Sequence, residues 1–439
     1  MGRRVHERWL SVFGVPAIGA RSLGFYRAII GFSFLLVLLL VDPITAVPLD
    51  VQRTYSPLVS PAWVHAFAAS QSIAVALEII GVASALLFAL GLWARTSYFV
   101  LVAVLLTHAT MLLVRRGVHD WDLPMAALLG LLVVPWSAAP PLTTLWRTRD
   151  EDGPPQRAYG FAIWLPGLAI GLAFAAAAYA KLHTSGLAWI TGGAVRYHFV
   201  DDSRNAPFGL GLWVATHPDV SVVLSAFAIL VEALFVLVVF FPGWRTRAGF
   251  GLVGVGLLAG FYVFQGVHWF PWWILFVAFL PWNRHASGAD AMGSKVPRAC
   301  AAVVAVLIGA QLWASYRAIE IEPLLSNYPM YAITYESPEH FELAQARYIF
   351  EASGADITER VDGAAGRRTL EAVVERSAKG LASDELAPSL AEFQDRYARL
   401  YGTAPPAIDV FRIRKPFDWT AGRYLPEVRD RLGRVGLDR

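Results

Sequence analysis

The stretch VSVVLSAFAILVEALFVLVVFF, residues 220–241, carries one charged side chain, Glu232, in 22 positions. A hydrocarbon core of ~30 Å is crossed by about 20 apolar residues in helical form. The stretch therefore reads as a transmembrane helix with an acid near its middle. Similar runs occur at about 24–41, 72–93, 97–114, 123–137, 160–181, 248–266, 268–282 and 298–316. These predict a polytopic bundle of about nine helices, of which the fourth (123–137) and eighth (268–282) are short. Composition agrees. The chain is 56% hydrophobic and 13% aromatic, with a mean hydropathy of +0.48; soluble chains are nearer half apolar.

Charge divides the chain. Residues 317–439 hold 20 of its 34 Asp and Glu. Alternating stretches at Arg347–Ala352 and Ala407–Arg414, with helical runs at about 368–379 and 388–401, predict a small α+β soluble domain there. The expected organisation is a segment at 1–23, a transmembrane domain at 24–316 and the soluble domain at 317–439. The net charge of +3 is small and its excess lies in short loops, which speaks for topology and against nucleic acid as a partner. The single cysteine, Cys300, opens an apolar run and leaves no intrachain disulfide or cysteine metal cluster to build.

Basic residues in short loops mark the cytoplasmic side. Arg3, Arg4, Arg8, Arg21, Arg95, Arg147, Arg149, Arg157, Arg245, Arg247, Arg284, Lys295 and Arg298 fall on one side of a nine-helix count, with Arg115 and Arg116 the main exceptions. The expectation is a multi-pass protein of the plasma or inner membrane with a cytoplasmic N-terminus. An odd number of crossings then places 317–439 outside.

The two halves share ordered landmarks. Glu78, Arg95–Thr96, Gly117–Val118–His119 and Pro135–Trp136 are followed by Glu232, Arg245–Thr246, Gly266–Val267–His268 and Pro281–Trp282, the GVH triplets lying 149 residues apart. This pattern predicts a duplicated helix trio in parallel orientation, a layout that frames a site between halves.

A charge inside a bilayer costs ~2.5–3.5 kcal/mol and calls for a partner or a cavity. The candidates are Arg27, Glu78, His108 and Glu232 within runs, and Lys181, His119 and His268 at their ends. Arg27 either pairs with Glu78 or Glu232 or snorkels to the interface. His108 reads as a hydrogen-bonded core histidine. His119 and His268 lack a third ligand at metal-binding spacing, so no metal is predicted. Lys181 ends AAAAYAKLH, 175–183, and has two readings. It is an interfacial anchor whose ammonium reaches water, or it is held against an apolar wall, where burial favours the free amine that can take a proton.

At this stretch the chain resembles the membrane domain shared by vitamin K-dependent gamma-carboxylases and their bacterial relatives, the horizontally transferred transmembrane (HTTM) domain. The resemblance is carried by Tyr179, Lys181 and Leu182 followed by Trp189 and Gly193–Ala194. Phe25–Tyr26–Arg27, the stretch ALGLWAR at 89–95 and NYPMY at 327–331 support it over about 20–335. It implies reduced vitamin K or menaquinol as cofactor, with Lys181 as the amine that deprotonates the quinol and His119 assisting. Oxygen, CO₂ and a peptide or protein substrate complete the implied carboxylase or epoxidase reaction. Arg27, Glu78, Tyr179, Trp189, Glu232 and His268 are the candidate supporting residues around that cavity. Three features depart from the family. Ala180 replaces a second lysine, Trp189 lies eight positions after Lys181 where the family has about five, and the soluble part is short, so propeptide recognition does not carry over. The alternative is a non-catalytic membrane protein serving peptide maturation, export or immunity through a partner-binding soluble domain.

Overall fold

The computed structural model describes residues 13–43, 45, 64, 67–68, 70–116, 120–145, 154–284, 297–321, 323–324, 326, 328, 331–379 and 384–437. His119 lies outside them. The chain separates into two compact units: Met1–Gly211 with Asp219–Thr334, and Leu212–Pro218 with Tyr335–Arg439.

The first unit is a helical bundle. Its long helices are α1 (Ala20–Leu36, running on as a π-turn to Val41), α2 (Gln71–Leu90) and α3 (Ala94–Arg116), then after a short α4 (Asp122–Gly130) the 29-residue α5 (Arg157–Ser185). After α6 (Val195–Asp202) come α7 (Pro218–Leu234, tightening into a 3₁₀ turn to Phe240), α8 (Trp244–Gln265), a short α9 (Phe270–Leu275) and α10 (Arg298–Arg317). Among the described residues seven helices are long and apolar enough to cross a membrane, and two shorter apolar helices, Asp122–Val133 and Phe270–Phe279, occupy the positions of the fourth and eighth runs. Helices are what such sequences must form in lipid, where every backbone N–H and C=O needs an internal partner.

One end of this unit is tied together by backbone contacts. Gly14 N donates to Val239 O at 2.8 Å, Gln156 N to Ile18 O at 2.9 Å and Leu142 N to Leu90 O at 3.0 Å. Ser22 Oγ donates to Trp282 O at 3.1 Å. Arg27 is fully buried at the same end. It reaches neither glutamate: its guanidinium donates to Ala139 O at 2.9 Å and Pro140 O at 2.8 Å. Nor does it snorkel. Gly91 explains the room for it. It ends α2 at φ +81°, and a Cβ there would run into the Arg27 guanidinium, so both conformation and space require glycine.

Gly117–Val118–His119 lies outside the described residues, but the helices that carry the repeated landmarks and the two Pro-Trp pairs have matching local structure. α2, α3 and α4 are two long helices and a short one closing in a 3₁₀ turn, and α7, α8 and α9 follow the same order. Trp136 donates from Nε1 to Leu131 O at 3.2 Å and Trp282 from Nε1 to Val277 O at 2.8 Å, each to the carbonyl five residues before it. Their backbone N–H groups bond two residues back, to Val134 O and Leu280 O. The glutamates differ. Glu78 accepts from Thr45 N and Oγ1, whereas Glu232 takes a cation, as described below.

The second unit is α+β. It contains α11 (Pro338–Ala344), β1 (Arg347–Ala352), β2 (Ala355–Asp356), α12 (Thr358–Gly363), α13 (Arg367–Ala378), α14 (Ala387–Tyr401), β3 (Ala407–Arg414), β4 (Phe417–Asp418), β5 (Arg423–Tyr424) and β6 (Val428–Gly436). A four-stranded antiparallel sheet runs β2-β1-β3-β6, with a bulge at Val410/Phe411, beside a two-stranded β4-β5 ribbon. Phe350, Ile408, Val410 and Val435 from the sheet meet Leu370, Val374, Phe393 and Tyr397 from α13 and α14 in one core. The predicted stretches at 347–352, 407–414, 368–379 and 388–401 fall on β1, β3, α13 and α14.

Candidate functional site

Lys181 lies 24 residues into α5. In an α-helix each Cα–Cβ bond tilts towards the N-terminus, which here aims the lysine back into the bundle. Its side chain is 5% exposed, and its ammonium nitrogen sits 2.7 Å from Oε1 and 2.8 Å from Oε2 of Glu232 on α7, whose side chain is 4% exposed. Both carboxylate oxygens are engaged by one cation. The packing just below holds the two helices in register: Phe174 of α5 meets Phe235 beyond α7 edge-on at 5.2 Å.

Trp189 is buried, and the Lys181 Nζ lies 5.4 Å from its ring centroid, within cation–π range. The indole donates from Nε1 to Tyr331 O at 2.7 Å. The turn that returns the chain from Trp189 to α6 passes through Gly193 at φ +61°, where a Cβ would strike Ser221 Oγ of α7. Glycine is needed there for conformation and for close approach. Ser225 Oγ then accepts from Val195 N at 3.3 Å and seats the start of α6.

The pair stands between two cavities. The larger encloses about 690 Å³ including its mouth, and Trp189, Phe199, Phe227, Phe261 and Phe264 make its walls apolar. The smaller, about 350 Å³, is walled by Phe174, Trp269 and Trp272. Lys181, Glu232, Phe261 and Tyr331 line both. Apolar walls with a few convergent polar groups are characteristic of small-molecule sites.

Four polar side chains complete the surroundings of the larger cavity. His198 bonds through Nε2 to Ile333 O at 3.0 Å and meets the Tyr331 ring at 4.9 Å. Burial pushes its imidazole down to about 4, against backbone hydrogen bonds that favour the cation, so it stays neutral at physiological pH. Tyr331 Oη and Gln265 Nε2 both donate to Asp202 Oδ2 at 2.8 Å. Burial raises the Asp202 carboxyl and the two hydrogen bonds oppose that rise. Burial and the neighbouring Asp202 push the Tyr331 phenol up, which keeps it protonated.

The remaining candidates lie elsewhere. Tyr179 is 45% exposed and stacks on His183 at 5.3 Å, away from the pair. His268 is exposed and bonds to Gly266 O at 3.1 Å; its neighbour Trp269, rather than the histidine, lines a cavity. Arg27 and Glu78 are bound to the carbonyls and to Thr45 as described. The structure thus brings together Lys181, Glu232 and Trp189 and adds His198, Asp202, Gln265 and Tyr331. Of these additions only Tyr331 carried a signal, as the last residue of NYPMY.

Comparison with protein-family models, with curated proteins and with solved structures finds no match.

Proposed function

We propose that this membrane protein is a quinol-using enzyme, a carboxylase or epoxidase in the manner of the vitamin K-dependent carboxylases, with Lys181 as its base. The observation that carries the reading is the buried Lys181–Glu232 pair in the wall of an apolar cavity. An ion pair and its neutral tautomer, with a proton on Glu232 and a free amine on Lys181, hold the same protons and the same net charge of zero. From the neutral tautomer Lys181 Nζ takes the proton of a quinol hydroxyl. The products are an ammonium beside the new oxyanion and a protonated Glu232, and the site is still neutral overall.

Glu232 keeps the resting site neutral whether Lys181 is an ammonium or a free amine, whereas an unpartnered ammonium or carboxylate there would strand a charge, at several kcal/mol per ion in a low-dielectric interior. The same accounting selects the substrate. A neutral, weakly acidic, apolar ring enters such a site, while an already charged carboxylate or phosphate pays heavy desolvation. Reduced vitamin K or menaquinol supplies, once deprotonated, a ring that reacts with oxygen; the family resemblance extends this to removal of a glutamate γ-proton and capture of CO₂. Trp189 contributes an apolar face with a quadrupole that favours the ammonium, and the aromatic walls exclude water from the exchanging proton.

The test is incubation of purified protein with menaquinol or reduced vitamin K and oxygen, assayed for epoxide. Wild type is expected to form it and Lys181→Ala to lose at least about a hundredfold, the usual scale for a removed general base. Equal product from both eliminates Lys181 as the base.

We also infer nine crossings, with the N-terminus cytoplasmic and Tyr335–Arg439 extracytoplasmic. Contacts among residues 14–27, 90, 139–142, 156, 239 and 282 gather at one end of the bundle, and Arg21, Arg95, Arg157, Arg245 and Arg284 sit in or beside these segments. Only if the two short helices also cross does that basic end face one compartment. A cysteine placed at exposed Thr420, in a chain whose own Cys300 is buried, is expected to react with a membrane-impermeant maleimide in intact spheroplasts. Labelling only after lysis reverses the orientation.

A further inference from the structure

Gln265 is the last residue of α8, 1% exposed, and lines the larger cavity together with Lys181. An amide side chain offers either a donor or an acceptor to a ligand, depending on which way it is turned. Here its orientation is set. Asp202 Oδ2 can only accept when ionised, so the nitrogen of Gln265 must face it, at 2.8 Å. Tyr331 Oη, donating to the same oxygen at 2.8 Å, holds the carboxylate in place from a second direction. Among the described residues no group donates to the Gln265 amide oxygen.

Resting on the reading of the cavity as a quinol site, we propose that Gln265 is its redox-state selector: the locked amide oxygen accepts a hydrogen bond from a ring hydroxyl and so favours the reduced, hydroxyl-bearing form over the quinone. The chemistry is asymmetric. A quinol hydroxyl is a donor and satisfies the amide oxygen. A quinone oxygen is an acceptor only, and facing the amide oxygen it leaves both lone-pair groups unpaired in an apolar cavity, the expensive arrangement. Asp202 is the positioning residue. It touches no ligand in this scheme and acts by fixing which end of the amide the cavity sees. The selection matters because product quinone would otherwise compete with substrate for the same walls.

The experiment is equilibrium binding of menadiol and of menadione to the intact purified protein, anaerobically at pH 8, read by quenching of tryptophan fluorescence; Trp189, Trp269 and Trp272 line the two cavities. Wild type is expected to bind menadiol about three- to tenfold more tightly than menadione, the value of one neutral hydrogen bond made or left unmade. Gln265→Leu is expected to bring the ratio to about one. Asp202→Asn is nearly isosteric, and its side-chain NH₂ can donate to the Gln265 oxygen, allowing the amide to turn and present its own NH₂ to the cavity. Its ratio is expected to fall below one. This inversion separates positioning from general damage, which lowers both affinities together, and it stands even if Gln265→Leu fails to fold. Unchanged ratios in the variants overturn the assignment of Gln265 and leave Lys181 as the base. Failure of wild type to bind menadiol saturably overturns both.

Discussion

Lys181→Met and Glu232→Met, made singly, are each expected to destabilise the protein by about 3 kcal/mol, while the double replacement returns to within about 1 kcal/mol of wild type. Removing one partner strands the other at a depth where a charge costs ~2.5–3.5 kcal/mol, and a broken buried pair in a soluble core costs about 3–5. Polar contacts in membranes can be worth less, since the unfolded chain in lipid also finds partners, which argues for the lower figure. Replacing both by apolar side chains removes the desolvation cost along with the attraction. Activity does not follow stability: epoxide formation is expected to be lost in all three. The measurement is unfolding in mixed detergent micelles alongside the quinol assay. Additive single effects, with the double variant worst, sink the idea that the two groups act as one neutral unit.

Trp189→Ala is the second large effect. The indole is 1% exposed, lies under the Lys181 ammonium and holds the Tyr331 carbonyl. Deleting it leaves a cavity of aromatic size and a buried carbonyl without its donor, together about 3–5 kcal/mol. Trp189→Phe keeps the ring face and loses the N–H, for about 1–2 kcal/mol. Menadiol affinity is expected to fall severalfold in the alanine variant and less in the phenylalanine one. If the two variants unfold at the same midpoint, the ring is not what the site rests on.

The bundle was legible because lipid leaves so few solutions. Among the described residues seven of the nine apolar runs became helices long and apolar enough to cross a membrane, and the two runs short enough to stand out, at 123–137 and 268–282, became the short α4 and α9. The tail was legible where apolar residues alternate, at β1 and β3. β6 was not foreseen, since VRDRLGRVG has no apolar alternation. It is a strand because β3 pairs with it and because cross-strand charges match, with Arg431 on Asp409 and Asp430 taking Arg414 at 2.9 Å.

At the site, single charges in apolar runs flagged Lys181 and Glu232, but their partnership spans 51 residues and no local pattern encodes it. Arg27 shows the limit from the other side. Pairing with a glutamate and snorkelling to the interface were the two readings open to it, yet carbonyls released by the break at Ala139–Pro140 satisfy it inside the bundle. Gln265 and Asp202 are ordinary polar residues at helix ends and His198 one in the middle of the short α6, with nothing in the local sequence to mark them. Their meaning lies in which cavity the fold turns them towards.

The electroneutrality of the Lys181–Glu232 pair bears on energy coupling. Moving one elementary charge through the bilayer field is worth about 2.3 kcal/mol per 100 mV. A reaction that admits an uncharged quinol and shifts its proton only from the ring to Lys181 displaces almost no charge along that field. Turnover in proteoliposomes is therefore expected to be indifferent to an imposed potassium diffusion potential, and a rate that changes several-fold over 100 mV would count against it. On the proposed quinol reading, a protein built this way sits in an energised membrane and runs at the pace of its quinol supply, deaf to the voltage around it.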